Sequence, residues 1–202
     1  MEQSGLILEG PTLTTGSLLG DPVFIGAVKN GSNDSLSGIS VTFRYLDESR
    51  KRVIETRTAS ILSAGAVGPG EKAPFVIGLP NSGDGPWDTV EVTLAVDPYA
   101  GFFSGKAVEG LEIRDLETQK GEITGTIYNG TNEVLGGDQL LEGFDVGVIG
   151  YDLAGQIVLV GSDTVGEKLA PGYSTSFRVD YFWGLSEQAV RYDVRVVVRP
   201  EF

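Results

Sequence analysis

The chain has 202 residues, 15 basic and 28 acidic side chains, a formal net charge of −13, and neither cysteine nor histidine. Those two absences exclude a thiol nucleophile, a disulfide framework, a Ser-His-Asp triad and a zinc site built on Cys or His. The charge repels nucleic acid and anionic lipid, and the densest basic stretch, Arg50 to Arg52, is offset by Asp47 and Glu48 beside it.

In chain order the predicted elements are strands. Gly5-Leu6-x-Leu8 opens the first, and a second runs through Gly26-Ala27-Val28-Lys29 to Asn30-Gly31. Val41, Phe43 and Tyr45 alternate with Thr42 and Arg44, and Phe75 and Ile77 follow the turn Pro69-Gly70. Val90, Val92, Leu94 and Val96 alternate with Glu91, Thr93 and Ala95. After Tyr99, Phe102 and Phe103 the order begins again about 100 residues downstream. Gly110-Leu111-x-Ile113 matches the opening, Gly125 to Asn132 matches Gly26 to Asn33, and Val146-x-Val148 matches Val41-x-Phe43. Pro171-Gly172 with Phe177 and Val179, and then Val194, Val196 and Val198, complete the second set. The best helical stretch, Leu185 to Arg191, is too short to count.

Short alternating strands bounded by Gly, Pro and Asn predict an all-β fold of two tandem immunoglobulin-like antiparallel β-sandwiches. The expected boundaries are 1–98 for the first repeat, 99–109 for an aromatic elbow and 110–202 for the second. Phe43, Phe75, Val92, Val148, Phe177 and Val194 are expected in the cores. Tyr99, Phe102 and Phe103 are expected to pack between the repeats, because a flexible linker would be polar. No apolar run is long enough to span a membrane, so direct insertion of this chain is not expected.

The repeats carry a further pattern: Gly-x-Val-x-Asn, then Phe43-Arg44-Tyr45-Leu46-Asp47, then Pro69-Gly70-Glu71 and Phe75. This resembles the FxLYD-type domain, an immunoglobulin-like module of prokaryotic lipoproteins and envelope proteins. The Leu and Tyr places are exchanged here. The second copy departs further, with Val148-Ile149-Gly150-Tyr151-Asp152 and Pro171-Gly172-Tyr173. The resemblance implies a cell-envelope, extracytoplasmic location, with an export signal or lipoprotein anchor upstream of residue 1, and no catalytic residue. On their own chemistry, Asn30-Gly31 and Asn129-Gly130 suit positive φ in tight turns, and Asp47 and Asp152 suit bonding to the backbone of the turns that follow.

Chemistry-bearing motifs are few. No phosphate loop, dinucleotide loop, nucleophile elbow or EF-hand is present, so no catalytic residue and no cofactor is assigned. Asn81, Asp84 and Asp88 crowd one loop as calcium candidates, although tight loops favour the same residues without a metal. Asn30, Asn33 and Asn129 head glycosylation sequons, two of which the Asn-Gly turn already explains. Trp87, Tyr181 and Trp183 lie in loops where they can bind a ligand or partner, or else cap the core. The sequence thus points to a non-enzymatic interaction or spacer module whose partner is an envelope protein or polysaccharide. The alternative is a carbohydrate-binding module that uses the loop aromatics.

Overall fold

The structure, a computed structural model, describes residues 5–15, 21–62, 65–80, 86–96, 105, 108–119, 121–137 and 142–199. The first half forms β1 (Leu6–Thr15), β2 (Pro22–Asn30), β3 (Ile39–Leu46), β4 (Val53–Ser60), β5 (Lys72–Gly78) and β6 (Thr89–Val96). The second forms β7 (Leu111–Gln119), β8 (Glu122–Asn129), β9 (Leu135–Gly136), β10 (Phe144–Tyr151) and β11 (Ile157–Val165). It continues with β12 (Lys168–Leu169), β13 (Ser174–Val179), β14 (Phe182–Gly184) and β15 (Arg191–Val198). The fold is all-β, and every pairing between strands is antiparallel.

The sheets run β4-β3-β6, β1-β2-β5, β14-β11-β10-β15 and β13-β8-β7, with a small β12-β9 pair. Three apolar clusters show how they stack. Phe43, Tyr45 and Val41 of the first sheet meet Phe75, Ile77 and Val28 of the second. Phe144, Val146 and Val148 of the third meet Ile127, Phe177 and Val179 of the fourth. Between these, Val23, Ile25 and Ala27 from the outward face of β2 meet Ile149, Tyr151, Ile157 and Val160 from β10 and β11. Four sheets are therefore layered face on face, as in packed β-sandwiches. Of the expected core residues, Phe43, Phe75, Val148 and Phe177 are buried, and Val92 and Val194 pack half-buried against the clusters.

Local details recur in the two halves. β1 is bulged between Glu9 and Thr12, and β7 between Arg114 and Glu117. Gly10 in one bulge and Asp115 in the other both take positive φ, a conformation an aspartate tolerates better than most side chains. Asn30 is fully buried, and its amide donates to the Asp34 and Val67 carbonyls while its Oδ1 accepts from the Ser32 N–H and hydroxyl. Asn129 makes the same four bonds with Glu133, Leu169 and Thr131. Contrary to the turn expectation, neither Gly31 nor Gly130 has positive φ. Glycine is needed there for close approach. The Gly31 N–H bonds Gly5 O at 2.8 Å, and a Cβ would sit 2.9 Å from that oxygen, with Gly130 and Gly110 repeating the arrangement. Asp47 Oδ1 accepts from the backbone of Lys51 and Arg52, and Asp152 Oδ1 from Gln156, as the turn reading expects.

Gly26 lies opposite Phe75 in register, and Gly125 opposite Phe177. A Cβ on Gly26 would lie 2.6 Å from the Phe75 ring and 2.8 Å from Glu9 O. The ring lies over the glycine and cannot retreat from a packed core. Gly26→Ala is expected to cost about 1–3 kcal/mol in urea unfolding, and a loss below a few tenths would show that the ring has room to move.

Candidate functional site

The residues singled out from the sequence do not converge on one site. Asn81 and Asp84 lie outside the described residues, as do Tyr99, Phe102 and Phe103. Asp88 is exposed, and its Oδ2 accepts from the Thr89 hydroxyl at 3.1 Å. Trp87 is half-buried, its ring edge-on to Tyr45 at 5.4 Å and to Phe24 at 6.1 Å. Trp183 pairs with Val160 through β14, packs against the Ile25 cluster, and stands edge-on to Tyr181 at 4.6 Å. The two tryptophans thus lie on opposite faces of the β1-β2-β5 sheet and share no platform. Asn30 and Asn129 have no exposed surface, so a folded chain cannot present their sequons to a transferase, whereas Asn33 is exposed.

What the sheets do bring together is a polar network along the seam between the second and third layers. Lys72, at the start of β5, places Nζ 2.7 Å from Glu9 Oε2 and 3.3 Å from the Tyr151 hydroxyl. Tyr151 ends β10 and is 2% exposed, and Asp193 on β15 helps to raise its pKa. Burial pulls the Lys72 ammonium down, but Glu9 and Tyr151 outweigh it and hold the group above the usual lysine value. Two residues along β15, Arg195 reaches Glu71 Oε2 at 3.4 Å and donates to the Ala66 carbonyl. That guanidinium is nearly enclosed, and burial lowers its pKa against the opposing pull of Glu71. Three of these contacts, Lys72–Tyr151, Arg195–Glu71 and Arg195–Ala66, join residues from the two halves.

Two clefts flank the network. One, of about 380 Å³, lies beside β15 and β7 and is lined by Leu111, Ile113, Val196, Glu71, Glu112 and Arg195. The other, of about 770 Å³, lies between the β1 bulge and the β10–β11 hairpin and is lined by Glu9, Lys72, Tyr151, Gln156 and Arg191. In the sequence Tyr151 stands only in a strand motif, and no pattern there marks Lys72, Arg191 or Arg195 as functional. Their placement depends on how the two halves dock, which a one-dimensional pattern does not carry. Comparison of the chain with protein-family models and with curated proteins returns no match.

Two buried phenols make the fold sensitive to alkali. Burial, reinforced by Asp193, pushes Tyr151 up to about 12. Burial likewise pushes Tyr45, whose hydroxyl donates to the Gly78 carbonyl at 2.8 Å, up to about 12 against the pull of Arg57. Both folded values exceed the ordinary 10.0. Their contribution is therefore complete below pH 10 and lost as pH rises through about 12. Urea midpoints should fall steeply across that window, and Tyr151→Phe should flatten part of the fall. A midpoint indifferent to pH there would mean that the phenols ionise in place.

Proposed function

We propose that this chain is a non-enzymatic, extracytoplasmic interaction or spacer module made of two tandem immunoglobulin-like sandwiches, of the FxLYD type found in prokaryotic envelope proteins. The observation that carries the reading is the seam. Two sheets, one from each half, bury Ile25, Ala27, Ile149 and Val160 against each other, and Glu71–Arg195 and Lys72–Tyr151 tie them along the side. A joint of that kind holds two units at a fixed angle, as a spacer or a composite binding surface requires. The chain's unusual polar residues also serve the fold. Asn30, Asn129, Asp47 and Asp152 are engaged in holding loops and turns. The partner in this reading is an envelope protein or polysaccharide.

The compartment is the component most open to direct test. A tagged full-length gene product, expressed in its own host, should be degraded by protease added to intact cells or to cells with a permeabilised outer layer. Complete protection until the cytoplasmic membrane is lysed would overturn the extracytoplasmic reading.

A further inference from the structure

We infer that the cleft beside Tyr151 is a receptor for a small oxyanion, a carboxylate or a phosphate, seated on the guanidinium of Arg191. The second half stacks two arginines on tyrosine rings, and the two differ in one respect. Arg114 lies 3.3 Å from the centroid of the Tyr128 ring, and its Nε and Nη2 both bond Glu112 Oε2, at 3.0 and 2.7 Å. Arg191 lies 4.2 Å from the Tyr151 centroid, and among the described residues no carboxylate stands within ion-pairing distance of it. Arg191 instead lines the cleft.

The receptor is preorganised. The Tyr151 ring over which the guanidinium lies is buried, and its hydroxyl accepts a bond from Lys72. A guanidinium placed over the ring carries an N–H fork that carboxylate and phosphate oxygens accept. Lys72 adds a second donor from the facing half. Its ammonium has three N–H groups, of which Glu9 and Tyr151 take two. Of the charged residues that line the cleft, Lys72 is balanced by Glu9 and Arg191 remains, with Asp193 nearby acting on Tyr151, in a chain of net charge −13. The overall field opposes an approaching anion, so the attraction is short-ranged and sensitive to salt. The volume, about 770 Å³, suits a small molecule. The walls offer the Thr12 hydroxyl, the exposed Gln156 amide and Glu9 to ligand hydroxyls. Because Glu9, Thr12 and Lys72 come from one half and Tyr151, Gln156 and Arg191 from the other, the receptor exists only when the halves are docked.

The test is calorimetric titration of the intact chain at low ionic strength with galacturonate, inorganic phosphate and neutral glucose, repeated on Arg191→Gln and Arg114→Gln. Arg191 is exposed, so its replacement leaves the fold intact, and circular dichroism checks this. The expected result is that at least one anion binds and glucose does not, and the anion that binds identifies the source of the oxyanion. Affinity should fall about tenfold or more in Arg191→Gln, as for loss of a charge-assisted bond, should be unchanged in Arg114→Gln, and should weaken as salt is added. The proposal is overturned if neither anion binds, if glucose binds as well as they do, or if Arg191→Gln retains wild-type affinity.

Discussion

Replacing Asn129 with alanine is expected to destabilise the chain by about 3–5 kcal/mol in urea unfolding, and replacing it with aspartate by more. The side chain has no exposed surface and makes four hydrogen bonds at 2.7–2.9 Å. Alanine strands the buried Leu169 carbonyl and leaves the Glu133 carbonyl with the Thr131 hydroxyl alone, where the Asn129 amide had bonded both at 2.8 Å. Each buried, unpaired polar group costs about 1–3 kcal/mol. Aspartate is nearly isosteric but turns the donor into an acceptor, setting a carboxylate oxygen against those two carbonyls. Protonation restores one donor, so the gap between Asn129→Asp and wild type should narrow as pH falls toward about 4. A destabilisation below about 1 kcal/mol for both variants would show that the loops close without this residue. Asn30→Asp should behave alike, since its bonds to Asp34, Val67 and Ser32 repeat the pattern.

The second large effect belongs to the seam. Val160 is fully buried in the cluster that joins the layers, and Val160→Asp places an uncompensated charge there. The expected cost is about 3–5 kcal/mol, taken from the docking of the halves rather than from either core. Unfolding should then split into two transitions, and the radius of gyration should rise before the first. Ile25→Asp, on the facing sheet, should give the same phenotype. The double variant should be little worse than either single one, because an opened seam cannot be opened twice. Full additivity would mean that the two residues report on separate cores.

The seam also marks where the sequence is legible and where it is not. Alternation along Val41-Phe43-Tyr45 and Val90 to Val96 identifies the strands that bury one face, and the all-β class follows from such runs. β2 and β10 break the rule because they bury both faces. Val23, Ile25 and Ala27 face the seam while Val28 faces the first core, and every residue from Phe144 to Tyr151 is buried. The signal is present for β2 and for the neighbouring β11 as near-continuous apolar stretches, Pro22 to Val28 and Ile157 to Val160, the mark of strands covered on both sides. The sequence points to Tyr99, Phe102 and Phe103 as the joint between the halves, and these lie outside the described residues. The seam that is described is instead built from sheet faces. The seam's charged contacts were beyond sequence reasoning for another reason. Glu71 and Arg195 are 124 residues apart, and only the packed layers make them neighbours.

A rigid stack of four layers fixes the distance between its outer faces, and the chain's lack of cysteine makes that distance directly measurable. Thr93→Cys places a spin label on the outer face of β6, and Ser176→Cys places one on the outer face of β13; both residues are exposed. Three sheet spacings separate those faces, about 30 Å in all. Pulsed dipolar spectroscopy on the doubly labelled chain should give one narrow distance peak no shorter than that separation. A broad distribution in the otherwise wild-type chain, no narrower than the one given by Val160→Asp, would contradict the rigid stack.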